Sequence, residues 1–168
     1  HIDESMRYLN ETLGLNIRPT NYTGGVRVDP SGFNGADNSR YTGGSQSLIF
    51  GDGGVDDAED SDVIHHELGH DLHDWVTGGS LSQNQGLSEG CGDYWAASYN
   101  RSLGDWEPSD PQYNWVFNWD GHNPFWNGRN CGIATTWSPN IPLGGIHAQG
   151  QVWSTSMMQV YDAIGKTK

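Results

Sequence analysis

Apolar residues recur along this chain at helical spacing in separate stretches. Met6, Leu9 and Leu13 fall three and four positions apart and predict a helix over residues 1–14, stopped by Gly14. Val63, Ile64, Leu68 and Leu72 predict a second over about 58–76, ended by Gly78-Gly79. A third is predicted over about 86–100. A fourth covers about 146–164, with Ile146, Trp153, Met157, Val160 and Ile164 on one apolar face. Between the first two helices, residues 15–50 read as short β segments, with turns at Thr23-Gly24-Gly25 and Pro30-Ser31-Gly32. Residues 101–143 are rich in Trp, Pro, Asn and Gly and show no period. The chain has 168 residues and no internal repeat, so it reads as one domain, or one domain with lobes at 1–78 and 79–168.

Charge narrows the partners. The net charge of −13 speaks against nucleic acid and against an anionic membrane surface. No apolar run is long enough for a signal peptide or a membrane span, and a mature secreted protein has already lost its signal. Eight tryptophans, 24 glycines and few lysines suggest a rigid, loop-rich extracellular protein. In that setting Cys91 and Cys131 are expected to form a disulfide.

The second helix carries the chemistry. In His66-Glu67-Leu68-Gly69-His70 the histidines stand at i and i+4, on one helical face, where both reach one metal. Glu67 projects beside that metal, where a general base for its water would stand. Chance alone produces such a motif roughly once in a hundred chains of this kind. His65 has no such i+4 partner. Glu89, 89 − 70 = 19 positions after His70, is the third candidate ligand. Asp93 shares its helix face at i+4 and is placed to orient a ligand histidine. Cys91, two residues from Glu89, points roughly 200° away from the metal. Three ligands with one open position describe a catalytic zinc, since a structural site closes with a fourth. P-loop, GxSxG and CxxC patterns are absent.

H-E-x-x-H with a distant glutamate resembles the gluzincin zinc peptidases, among them thermolysin, whose zinc is held by two histidines and one glutamate. Leu48-Ile49-Phe50-Gly51-Asp52-Gly53-Gly54, the segment Val55–Ile64, and Gly144-Gly145-Ile146-His147-Ala148-Gln149-Gly150-Gln151-Val152-Trp153 resemble the fungalysin family, its bacterial members most closely. The resemblance implies an α+β, thermolysin-like, two-lobed fold. Its N-terminal lobe would contain the β segments, the metal helix would floor a cleft, and the C-terminal lobe would be mainly helical. It implies a secreted zinc endopeptidase, monomeric and made with a propeptide, of which this chain is a trimmed core. Its substrates would be proteins or peptides. It implies that His147 donates to the transition state and that Asn38, Arg40 and Tyr41 belong to an edge strand pairing with extended substrate. Arg129 is placed on the substrate backbone. Asp62 matches a calcium-binding aspartate, with Asn100, Asp105, Glu107 and Asp110 as candidate partners.

The sequence also departs from that family. Pro142 stands where an aspartate would orient His147. Leu81, Ser82 and Gln83 stand where a tyrosine would help hold the oxyanion. Two other functions fit parts of the pattern. A zinc aminopeptidase would share the spacing, yet its Gly-x-Met-Glu-Asn segment is missing. A non-proteolytic binding or adhesion module would keep zinc for stability, yet it has no use for Glu67.

Overall fold

A computed structural model describes residues 1–137 and 144–165. Among these residues, four α-helices and two small sheets make an α+β protein. Helix α1 (Ile2–Arg7) continues as a π-turn over Tyr8–Thr12, and Gly14 follows with a φ of 69°. Helices α2 (Ser61–Val76), α3 (Leu87–Leu103) and α4 (Ile146–Gly165) form the body. Helix α2 starts three residues later than expected because Asp60 caps it. The Asp60 carboxylate accepts from the Asp62 N–H at 2.7 Å while the Asp60 backbone stays extended.

Helix α3 packs against both α2 and α4, so the helices on either side of the expected lobe boundary lie directly on each other. Two glycine contacts set how close they come. A Cβ built on Gly69 of α2 would stand 2.6 Å from the Cα of Gly92 on α3. A Cβ on Gly150 of α4 would stand 2.6 Å from the Cβ of Glu89. Neither position tolerates a side chain at this spacing. Glu89 is thereby pressed between two helices rather than left on a solvated face.

The same contact reverses the face expected for α4. Its buried residues are Gly150, Val152, Ser154, Thr155 and Met158, while Ile146, Trp153, Val160 and Ile164 are exposed. Small residues let the helix come near α3, and closeness rather than apolarity selected the face.

Strands β1 (Arg27–Asp29), β2 (Arg40–Thr42) and β3 (Ser47–Ile49) form a sheet in the order β1-β3-β2. Strand β1 runs parallel to β3 and β2 antiparallel, with Arg40 opposite Ile49. Strand β2 is therefore an edge strand. Leu48 and Phe50 anchor this sheet in a core shared with Leu68, Ala96, Val116 and Met158. Residues 115–130 hold a hairpin with no signal in the sequence, β4 (Trp115–Val116) with β5 (Arg129–Asn130). Two-residue strands are too short for a period of two to show.

Cys91 and Cys131 are both free thiols, which corrects the expected disulfide. Cys131 is buried, its Sγ 3.8 Å from the Asp93 carbonyl oxygen. It follows Arg129, which lies on the Glu89–Asp93 face of α3. Cys91, two residues from both acids, turns to the other side of that helix. The fold is expected to be insensitive to reductant as a result.

His65 is fully buried, stacked on Tyr99 with ring centroids 3.9 Å apart, and its Nδ1 donates to the Ser61 carbonyl. Burial pulls its pKa down to about 4. The folded state therefore resists protonating a ring that protonates near 6.5 when unfolded. Stability from this group is complete above pH 6.5 and is lost as pH falls through about 4. That loss amounts to about 3 kcal/mol. Urea unfolding from pH 7.5 to 4 is expected to show it, with a flatter curve for His65→Phe.

Candidate metal centre

Helix α2 presents His66 and His70 one turn apart. Their Nε2 atoms stand 3.1 Å from each other. The Glu89 carboxylate closes the group, with Oε2 3.5 Å from His66 Nε2 and Oε1 3.7 Å from His70 Nε2. Ligands of a tetrahedral zinc about 2.0–2.1 Å away lie about 3.3 Å apart, so these separations match the edges of such a site. All three residues are buried, and their ligand atoms lie within 4.8 Å of one another. The donor set, two imidazoles and one carboxylate, suits zinc.

The outward nitrogens of the two rings each have a polar neighbour. His66 Nδ1 lies 3.0 Å from Asp93 Oδ1, and His70 Nδ1 lies 2.7 Å from the Ser88 hydroxyl. Asp93 stands as expected, on the Glu89 face of α3 and fully buried. Ser88 is a site residue that no motif marks; its place immediately before Glu89 is the signal that could reveal it. Gln83, in the connection between α2 and α3, donates its amide to Glu89 Oε1 at 2.9 Å.

Arg129 does not face outward to a substrate alone. Its Nη1 donates to Glu89 Oε2 at 3.0 Å and to Asp93 Oδ1 at 2.8 Å. One guanidinium thus ties the candidate ligand Glu89 to Asp93, whose Oδ1 also lies beside His66. The β4–β5 hairpin aims it there. His122 braces that hairpin, with its Nε2 donor 3.1 Å from both the Val116 and Arg129 carbonyls and its ring stacked on Trp115. Phe117 holds a φ of 67° and sets its ring against His66 and Arg129. A bulky residue in that backbone region stores strain, which is common beside functional sites.

Electrostatics divide the site. Burial and Arg129 pull His66 down, but the Asp93 and Glu89 carboxylates push its pKa up to about 9. Burial and the charge of His66 together drive His70 down to about 3. Burial alone would raise Glu89, yet hydrogen bonding and charge from His66, with His70 and Arg129, hold its carboxyl far below the usual range. Glu67 behaves oppositely. Burial, against the pull of His66 and with Glu89 adding repulsion, raises it to about 7. Its Oε2 is buried and has no hydrogen-bond partner. A carboxyl poised near neutrality is suited to take and return a proton.

The group opens into a cleft of about 1350 Å³. Asn38, Arg40 and Tyr41 line it together with Glu67, His66, His70 and Glu89, and so do Phe117, Phe125, Trp126 and Arg129. The outer edge of β2 pairs with no strand among the described residues. Tyr41 also fixes β2 to α2, its hydroxyl donating to Asp74 at 2.6 Å. His147, at the start of α4, stands in the cleft with Nε2 3.5 Å from Glu89 Oε2 and is 63% exposed. Pro142 lies outside the described residues.

Asp62 is not free to take calcium. Its Oδ1 accepts from the Asn100 amide at 2.6 Å, and its Oδ2 accepts from the Asn118 backbone and side chain at 2.9 and 3.1 Å. It is a buried tie between α2, α3 and the hairpin, and it joins no ligand cluster among the described residues. Asp110 instead caps the turn at Glu107.

Compared with known proteins, the chain matches no family model, no curated protein and no solved structure. No described helix is long and apolar enough to cross a membrane.

Proposed function

We propose that this chain is a zinc-dependent endopeptidase, secreted in its natural setting, acting on extended peptides. The observation that carries the reading is the convergence of His66, His70 and Glu89 on one point, with a buried Glu67 whose Oε2 has no partner, all four lining an open cleft. A zinc ion held there would acidify a coordinated water and polarise a scissile carbonyl. Glu67 takes the proton and delivers it to the leaving amine. Asp93 and Ser88 keep the two imidazoles turned inward. The free edge of β2 offers main-chain groups to a substrate of any sequence, which suits a protease.

His147 is the donor for the oxyanion in this reading. Its exposure leaves it free to move toward a substrate, and its ring already stands beside Glu89. His147→Ala is expected to lower kcat by about 10²–10³-fold. KM and zinc content should change little. An equal loss carried by KM alone would remove His147 from the transition state.

Endopeptidase and aminopeptidase part on one comparison. Internally quenched peptides with blocked and with free N-termini are to be cleaved side by side. The endopeptidase reading expects both to be cut at internal bonds; cleavage only of the free-amine peptide, one residue in, would overturn it.

A further inference from the structure

Helix α4 brings a second donor into the cleft besides His147. Gln151 stands one turn further on, on the same helix face, and both side chains line the cleft. Gln151 is half-buried. Its Oε1 accepts the Asn130 N–H at 2.9 Å. A backbone N–H can only donate, so this bond fixes which end of the amide meets the β4–β5 hairpin. The two hydrogens on Nε2 are left over, and they reach no acceptor among the described residues.

Support of the hairpin does not need those hydrogens. Thr155, one turn beyond Gln151, accepts the Ile133 N–H at 3.3 Å with a hydroxyl alone. An acceptor is all that either tie requires. Gln151 adds two donors whose orientation is set before any ligand arrives, which lowers the entropy cost of using them.

Spacing indicates what they would meet. Four residues of helix rise about 6 Å, which separates His147 from Gln151 along α4. Alternate residues of an extended peptide lie about 6.7 Å apart, and their carbonyls point the same way. Two donors at this spacing match two alternate carbonyls of one extended chain.

We propose that Gln151 binds substrate, donating to the main-chain carbonyl two residues away from the scissile one. This role rests on the peptidase reading, in which His147 donates to the oxyanion formed at the scissile carbonyl. The free edge of β2 faces the same cleft, through Arg40 and Tyr41. A main-chain contact reads length rather than sequence. Peptides too short to carry that second carbonyl are therefore bound less tightly, whatever their side chains.

Affinity tests this without turnover. Alanine peptides bearing a hydroxamate, which chelates zinc and marks the scissile position, are lengthened one residue at a time on either side. Kd is measured by calorimetry on the zinc-loaded full chain. It is expected to fall about 3–10-fold at one step, where the residue two positions from the hydroxamate is added. A methylene in place of that residue's carbonyl should abolish the step. Gln151→Leu removes donor and acceptor together. Gln151→Glu keeps an acceptor for the Asn130 N–H and should fold, but its carboxylate has no hydrogen to donate. Both variants should hold zinc and show no step. A step retained in Gln151→Glu, or equal affinity at every length in the wild type, overturns the role of Gln151 and leaves the peptidase reading standing. A chain that binds no hydroxamate peptide at all overturns the zinc reading and this role with it.

Discussion

Glu67→Gln is expected to lower kcat/KM for peptide cleavage by about 10²–10⁴-fold. At 1.36 kcal/mol per decade this is about 3–5 kcal/mol of transition-state stabilisation. Zinc content and unfolding temperature should stay near wild type. The reason is where the side chain sits. Glu67 is buried beside the ligand group, its Oε2 has no partner, and burial with the Glu89 charge raises its carboxyl to about 7. Glutamine keeps the shape and removes the proton acceptor. It also removes a buried charge beside Glu89, so folding should not suffer. Zinc-loaded variant protein that still cleaves at the wild-type rate would exclude Glu67 as the base.

Gly92→Ala is expected to damage both fold and site. The added Cβ would stand 2.5 Å from His66 Nδ1 and 2.8 Å from the His66 carbonyl oxygen. Helix propensity favours alanine over glycine by about 0.5–1 kcal/mol, so any net loss measures the clash. Overpacking of this kind costs about 1–3 kcal/mol, a fall in Tm of about 3–10 °C. The displaced ring also leaves Asp93, so zinc affinity should drop by about 10–100-fold. Gly25→Ala is the control. Its Cβ would meet nothing within 4 Å, and both readouts should hold. A Gly92→Ala protein with wild-type Tm and zinc affinity would contradict the close α2–α3 contact.

Much of the candidate metal centre is legible in the sequence because it is local. Two histidines one turn apart and a glutamate–aspartate pair one turn apart are statements about single helices, and helical geometry fixes them. What joins the two helices is not local. Gly69 meets Gly92, and Gly90 and Gly150 bring α4 against Glu89, through the absence of a side chain. A glycine inside a helical pattern reads as a weakness until its neighbour is known. The buried face of α4 escapes a periodic reading for the same reason, since Ser154 and Thr155 face inward where Trp153 and Val160 are expected.

Long-range pairing hides the rest. Arg129 reaches Glu89 and Asp93 from 40 and 36 residues away through a hairpin of two-residue strands, so neither period nor spacing could place it. Asp62 looks like a cation ligand in the sequence. Asn118, 56 residues on, turns it into a hydrogen-bonded tie. Asp37, Asp57 and Asp120 do converge, and only the tertiary fold brings them together. The cysteines illustrate a different limit: composition suggests an oxidising setting, but the turn of α3 sends the two thiols to opposite sides.

The most direct test of the zinc peptidase reading is cleavage of an N-terminally blocked, internally quenched peptide by the wild-type chain before chelation, after removal of metal, and after zinc is restored. Cleavage is expected to disappear with about one zinc per chain and to return when that zinc is replaced. Cleavage that persists in metal-free protein, or a zinc-loaded chain that cuts no peptide, would contradict it.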